Sequence, residues 1–395
     1  MFRHFAFLTA LFWAIVGFAA QAQAYPWMIR HEYTACATCH TDPSGAGLLT
    51  AYGRAQSSIL LSSHYRHTTD EEPGSEKDFL VGLAPLPDWL LLQGWLRNGY
   101  LWNNVNRHVV DSRFLQMRAD LGAYVNVGAL RASATIGYNS SKSATLSERA
   151  WVTGASPNGN LVSREHWVGV ALAEESLLAR VGRISLPFGL RNIEHTAWVR
   201  SETRSDINQS QQHGVAVAYT GETWRGELMG IAGNVQVHPD AYRERGYSAF
   251  VEFSVAPRYA VGISSLVTHA TADILTQSNT TRQAHGVFAR AAPLQALVLL
   301  GEFDALLVSS PGTPGRNGYV GFLQLDTEPI QGVHGMVTSE ILDRGGPTEH
   351  TNVGLWLSAA WFALPHLDAR ADVIRRTSVG APATLTYLLQ LQAYL

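Results

Sequence analysis

Residues 115–127 read LQMRADLGAYVNV, and this stretch decides the fold class. Its odd positions carry Leu, Met, Ala, Leu, Ala, Val and Val, whereas its even positions carry Gln, Arg, Asp, Gly, Tyr and Asn. Successive side chains of a β-strand point to opposite faces, so this alternation predicts a strand with one apolar face and one polar face. The same period of two recurs toward the end of the chain, for example at 247–255, 297–304 and 367–373.

The alternation predicts sixteen strands between residues 88 and 395, and bacterial outer-membrane barrels require an even number. The predicted spans are 88–103, 112–127, 129–140, 165–174, 177–187, 213–220, 224–233, 246–256, 258–270, 282–292, 295–306, 316–327, 330–342, 350–363, 366–376 and 383–395. Their connections alternate between tight turns and long segments such as 141–164 and 188–212. In bacterial barrels the short turns are periplasmic and the long loops are extracellular.

The charge distribution favours a membrane barrel over a soluble β-sandwich. Charged residues make up only 15% of the 395 residues, and lysine occurs only at positions 77 and 142. In the predicted strands the charges lie on the face opposite the apolar one, at Arg97, Arg118, Asp120, Arg131, Glu252, Asp326 and Glu340. We therefore predict an all-β fold, an antiparallel transmembrane β-barrel of about sixteen strands in the lipid bilayer of the outer membrane. The net charge of −3 excludes the electrostatic case for nucleic-acid binding.

The first 24 residues are typical of a secretory signal peptide. Arg3 precedes an apolar run at 5–20, and Ala22-Gln23-Ala24 fits a small-x-small cleavage site. The mature chain is then expected to begin at Tyr25. An uncleaved anchor helix is the alternative, but the apolar run is short for a membrane span.

Residues 36–40 read CATCH, the C-x-x-C-H pattern of c-type haem attachment. Two thiols at this spacing form thioethers with one porphyrin, and the following histidine ligates the iron. We therefore predict one covalent haem c, bound by Cys36 and Cys39, with His40 as the proximal iron ligand. A redox dithiol would need a βαβ context, and a zinc site would need further ligands at matching spacing. No catalytic residue is predicted.

The distal iron ligand is left open by the sequence. His31 is preferred because it lies close to the attachment motif, and the alternatives are Met28, His64 and His67. A methionine ligand would give a higher reduction potential than a histidine. A short amphipathic helix is predicted at 48–61. Its candidate haem contacts are Leu49, Tyr52 and Ile59 against the porphyrin and Arg54 against a propionate.

The chain divides into four predicted parts: a signal peptide at 1–24, a monohaem cytochrome c segment at 25–67, a polar linker at 68–87 and the porin-like barrel at 88–395. The haem segment precedes the first strand, on the side of the tight turns. A barrel of this size leaves a wide lumen. We therefore expect residues 25–87 to fold into the lumen as a haem-bearing plug.

This order of segments resembles the fused monohaem cytochrome–porins of the bacterial outer membrane, best known from iron-oxidising bacteria. The local match runs from Pro26 through the haem motif to Pro43 and to Tyr52-Gly53-Arg54, and 180–190 is similar to general porin sequence. The insert at 44–47 departs from the iron-oxidiser pattern. The resemblance implies electron transfer across the outer membrane, with a soluble periplasmic cytochrome and an extracellular electron donor or acceptor as partners.

Three functions follow as hypotheses. The first is a one-haem electron conduit, with Fe(II) as a candidate extracellular donor and an iron(II):cytochrome oxidoreductase as the corresponding activity. The second is a passive porin with a haem sensor or docking segment, and the third is a haem enzyme of the peroxidase type. On the long loop, Glu194, His195, Glu202 and Asp206 either attract a cation or form an ordinary solvated loop, and the solvated loop is the preferred interpretation.

Overall fold

Sixteen antiparallel strands form a closed barrel in which each strand pairs with its neighbours in the chain and the first pairs with the last. The strands are β1 (Leu90–Val105), β2 (His108–Val127), β3 (Leu130–Asn139), β4 (Asn160–Leu172), β5 (Leu177–Ile184), β6 (Gln212–Thr220), β7 (Trp224–Ile231), β8 (Arg245–Ala256), β9 (Tyr259–Ala270), β10 (Thr280–Leu294), β11 (Leu297–Ser309), β12 (Arg316–Ile330), β13 (Val333–Asp343), β14 (Asn352–Leu364), β15 (Leu367–Thr377) and β16 (Thr384–Tyr394). The predicted strand number and the predicted tight turns are confirmed.

The computed structural model describes residues 25–63, 79–80, 84–106, 108–139, 160–192, 194, 196–206, 210–274, 276–346 and 351–394. The predicted signal peptide, His64, His67, His195 and most of the predicted linker lie outside the described residues. Among the residues described, no helix is both long and apolar enough to cross a membrane.

The strands turn apolar side chains outward and polar side chains into the lumen. Leu121, Ile263 and Leu323 are each more than half exposed on the outer face. Six of the seven predicted lumenal charges are buried, among them Glu252 and Asp326, and the seventh, Arg118, is partly buried. Closure pairs every strand edge, as lipid requires, and the apolar outer face matches the hydrocarbon.

A β-bulge in β2 overturns part of the pattern at 115–127. Arg97 pairs with Arg118 and the next residue of β1 pairs with Gln116, so Met117 has no partner across the ladder. An extra residue of this kind reverses the alternation, so the residues just before Met117 lie on the face opposite to the one that the pattern predicts. Phe114, 65% exposed, therefore faces outward. The prediction that the outer face continues through Leu115 and Met117 is wrong.

Residues 25–63 lie within the barrel, close to the rim of short turns. They form 3₁₀ helices at Pro26–His31 and Cys36–Thr38 and the helix α1 at Ala51–Leu61. Thr50 caps α1, since its hydroxyl accepts a hydrogen bond from the Gly53 amide at 3.0 Å. A Cβ on Gly53 would lie 2.3 Å from the Cys39 carbonyl oxygen, so only glycine lets α1 pack against the C-x-x-C-H turn. We call residues 25–63 the plug.

Buried polar groups of the barrel wall hold the plug. The carboxylate of Asp42 lies 3.1 Å from Arg180, and both side chains are fully buried. Burial raises the pKa of Asp42, but the guanidinium groups of Arg180 and Arg191 outweigh burial and leave that pKa below its usual value. Further wall contacts are Arg225 to the Pro43 carbonyl at 3.1 Å, Arg290 to the Thr34 carbonyl at 2.7 Å, Arg30 to Glu328 at 2.7 Å and the Leu49 amide to Gln93 at 2.8 Å.

The described residues of the long loop between β5 and β6 also fold into the lumen, and they include the helix α2 at Trp198–Glu202. Glu194 is buried and lies 2.8 Å from Arg97 and 3.0 Å from Arg370. Glu202 lies 2.6 Å from Arg344. For Glu194 and Glu202 the preferred interpretation of a solvated loop is therefore wrong, because arginines from distant strands neutralise both carboxylates.

Candidate haem site

The C-x-x-C-H motif forms one tight helical turn. The backbone amides of Cys39 and His40 both donate to the Cys36 carbonyl, at 3.1 and 2.9 Å. Residues spaced by three and four along such a turn are neighbours on its surface. The Cys36 sulfur lies next to Gly45, and of the three motif residues only His40 lines the cavity described below. Both cysteines are free thiols, and burial raises the pKa of Cys39 to about 12.

The imidazole of His40 is oriented by a backbone carbonyl. Its Nδ1 lies 3.1 Å from the Ala46 carbonyl oxygen and donates to it, which leaves the lone pair on Nε2. A metal-ligating histidine usually has this second-shell contact, because the contact fixes both the tautomer and the ring plane. The donor set therefore fits the proximal ligand of a haem.

The insert at 44–47 is part of this site. Gly45 and Gly47 have positive φ values of 94° and 72°, which turn the chain so that Ala46 faces the imidazole. A Cβ on Gly45 would lie 3.2 Å from the Cys36 sulfur. The segment that departs from the iron-oxidiser pattern thus packs against the first cysteine and orients the histidine.

A cavity of about 480 Å³ lies beside His40 at the rim of short turns. Its walls come from the C-x-x-C-H turn, the start of α1 and the rim ends of strands β1 to β6. Trp89, Tyr52 and Tyr124 supply aromatic surface, and Arg131 supplies a positive charge. Known ligand sites span roughly 300–1,000 Å³ and combine apolar walls with a few polar groups.

The basic residue of the cavity differs from the one predicted. Arg54 is 1% exposed, donates to the Leu92 carbonyl at 2.5 Å and is not among the residues that line the cavity. Burial lowers its pKa to about 10. Arg131, at the start of β3, lines the cavity and pairs with Glu175 at 2.5 Å. Arg131 is therefore the candidate propionate partner, and only its position on the polar face of the strand marked it in the sequence.

Of the other three side chains predicted to contact the porphyrin, only one lines the cavity. Tyr52 lines the cavity, whereas Leu49 and Ile59 do not: Leu49 is buried in the core and Ile59 is exposed on α1.

The described distal candidates lie apart from this cavity. His31 lies near Glu328 and Arg258, beside the turns that follow β8 and β12, and burial lowers its pKa. Its Nε2 is buried without a hydrogen bond. Met28 is buried in the apolar core. Among the described lining residues, His40 is the only histidine and no methionine is present.

Comparison with solved structures identifies the fold. The barrel is similar to OmpT of Vibrio cholerae, with a TM-score of 0.59 and 11% identity over 78% of this chain and 97% of that one. It is also similar to an anion-selective porin from Comamonas acidovorans, with a TM-score of 0.54 and 10% identity over 78% and 99%. The chain has the fold of an outer-membrane porin. No protein-family description and no curated protein matches the sequence.

The porin fold accounts for the barrel and leaves the plug to be explained from its own residues. Identities near one-tenth establish architecture alone. In the described part of the chain, no group of three or more His, Cys, Asp and Glu side chains is arranged to hold a metal ion.

Proposed function

We propose that this porin-like barrel is an electron-transfer protein of the outer membrane that carries one covalent haem c on its plug. The observation that carries the proposal is the His40 imidazole, whose Nδ1 is bound to the Ala46 carbonyl beside a cavity of about 480 Å³. Cys36 and Cys39 supply thiols from the same helical turn.

Each residue of the site has a defined task in this proposal. Haem c, when bound, supplies a one-electron Fe(III)/Fe(II) couple. Cys36 and Cys39 would hold it by thioether bonds, and His40 would ligate the iron through Nε2. Arg131, which also pairs with Glu175, would donate a hydrogen bond to a propionate, and the aromatic walls of the cavity would exclude water from the porphyrin.

The rim around the cavity favours a basic periplasmic partner. Asp88, Glu174, Glu175 and Glu222 are exposed on the strand ends and turns of this sector. The one arginine of the cavity lining is buried and already paired with Glu175. An acidic rim raises the association rate of a positively charged protein. We propose that a soluble cytochrome with a basic face docks here.

The extracellular partner would exchange electrons through the opposite mouth, and Fe(II) remains the candidate donor on the resemblance alone. A passive porin is the weaker alternative, because plug, loop and wall share one apolar cluster inside the barrel. That cluster includes Trp27 and Leu48 of the plug, Phe188 and Val199 of the loop and Val298 of the wall.

Proteoliposomes test the transmembrane step. Dithionite is added outside vesicles that contain a trapped oxidant, with the full chain or its Cys36→Ala/Cys39→Ala variant in the bilayer. We expect discharge of the oxidant with the full chain only. Equal discharge by both proteins would instead indicate an open pore, and large open steps in planar bilayers would support that reading. A spectral shift on adding carbon monoxide would favour the peroxidase alternative.

A further inference from the structure

A second cavity, of about 70 Å³, lies at the other end of the lumen, where the long loops begin. Four arginines and two glutamates line it: Arg204, Arg282, Arg316, Arg344, Glu202 and Glu244. Arg204 follows α2 on the inward-folded loop, and the other three arginines lie at or next to the loop ends of β10, β12 and β13. Arginines from four separate segments therefore converge on one small space.

Two of these arginines are held in place by a buried carboxylate that does not line the cavity. Asp273, 1% exposed, accepts from Arg204 at 3.1 Å and from Arg282 at 2.8 Å. Glu244 also accepts a hydrogen bond from Arg204. Arg282 engages Asp273 through Nε and Nη2, so its Nη1 is left to donate elsewhere. The guanidinium groups are thus positioned without all of their donors being used.

The cavity has an excess of positive charge. Arg344 pairs with Glu202 at 2.6 Å, whereas Arg316 contacts no carboxylate among the described residues. Among the described residues, four guanidinium groups face three carboxylates, the third being Asp273, so the cavity has an excess of one positive charge. An unpaired arginine in a lumen recess is suited to a ligand that brings its own negative charge.

We propose that this cavity binds a small dissolved oxyanion, that is, a carboxylate or phosphate group. A cavity of about 70 Å³ is well below the size of drug-like ligand pockets, so it suits a compact anionic group and not a multi-ring ligand. Arg316 and the Nη1 of Arg282 are the donors that contact it. The acidic residues of the long loop suggested attraction of a cation, whereas the cavity that this loop helps to line is positively charged. The proposed anion site does not depend on the haem.

Calorimetric titration of the purified full chain, free of lipopolysaccharide, tests the site with inorganic phosphate and with citrate as probes. We expect saturable binding that weakens as ionic strength rises. Arg316→Gln removes a charge-assisted hydrogen bond and lowers the affinity about tenfold. The matched control is Arg375→Gln, which removes the same charge from an exposed position on β15 outside the cavity and leaves the affinity within about twofold.

Three results would overturn the proposal: no saturable binding of either probe, equal weakening by Arg375→Gln, or binding of lipopolysaccharide with none of phosphate or citrate. Heat-modifiable migration on gels reports whether each variant forms a barrel. If Arg316→Gln does not form a barrel, Arg316→Lys is used instead, because lysine keeps the positive charge but lacks the planar guanidinium group with its paired donors. It should bind more weakly than the unmodified chain, and unchanged affinity would contradict the role of Arg316.

Discussion

At the scale of single residues, the haem-attachment motif lies within five positions of the sequence, whereas the groups that orient and line the candidate site come from outside it. Cys36, Cys39 and His40 are recognisable because thioether attachment fixes their spacing within five positions. Ala46 offers only a backbone carbonyl, so no side-chain pattern marks it. Arg131 reaches the cavity only because the closed barrel brings β3 beside the plug. The motif was therefore predictable, and its orienting contacts were not.

The Gly45→Ala variant tests the contribution of the insert. Its φ of 94° is strained for alanine, and the new Cβ would lie 3.2 Å from the Cys36 sulfur. We expect the strained backbone to lower the free energy of unfolding by about 1–2 kcal/mol. We also expect a haem content well below that of the unmodified protein. Haem per barrel and thermal unfolding in micelles are the measurements.

Gly312→Ala is the matched control for that variant. Gly312 has a φ of 77° but no atom within 4 Å of an added Cβ. It should show similar backbone strain and unchanged haem content. An equal fall in haem content for both variants would remove the insert from the site.

At the scale of elements, the strands were predictable because closure in lipid demands strict alternation of side chains. Two features were not predictable, the bulge in β2 and the inward fold of the loop between β5 and β6. The bulge at Met117 inserts one residue without any change of composition, so the sequence alone does not reveal the phase shift. The described part of the loop between β5 and β6 folds inward because Arg97, Arg370 and Arg344 pair with its carboxylates. Such pairings across the barrel cannot be recognised in the local sequence.

The inward fold of that loop depends on a buried ion pair. Arg200 and Glu302 lie 2.5 Å apart, and both side chains are fully buried. Arg200→Ala leaves a buried carboxylate without its partner and should destabilise the protein by about 3–5 kcal/mol. Chemical denaturation in micelles measures the free energy of unfolding.

The double variant Arg200→Met/Glu302→Gln separates charge from packing. Because it removes both charges together, it should recover much of the stability lost by Arg200→Ala. A double variant as unstable as the single one would show that the ion pair is not what holds the loop.

At the scale of the whole molecule, the two ends of the lumen carry charges of opposite sign. The rim of short turns presents exposed carboxylates around the haem-motif cavity, and the loop end presents an excess of arginine. The overall charge of −3 conceals this polarity, because it emerges only when β1 to β6 curve together at one rim. The proposed preference for a basic periplasmic partner therefore depends on the closed barrel and was not predictable from composition.

Charge reversal at the rim tests the periplasmic docking surface. Glu222→Lys should slow association with a basic soluble cytochrome at low salt and flatten the dependence of the rate on ionic strength. Stopped-flow mixing measures the rate. Asp111→Lys, at the loop end of β2, is the control and should leave the rate unchanged. Equal slowing by the control would mean that net charge alone governs the encounter.

The most direct test of the account is the haem content of the barrel after denaturation. The full chain is expressed together with a haem-attachment system, isolated from the outer-membrane fraction, denatured and extracted with acidic acetone, which removes non-covalent haem. We predict a pyridine haemochrome of one haem per chain, lost in the Cys36→Ala/Cys39→Ala variant. A correctly folded barrel that retains no haem after extraction would contradict the account.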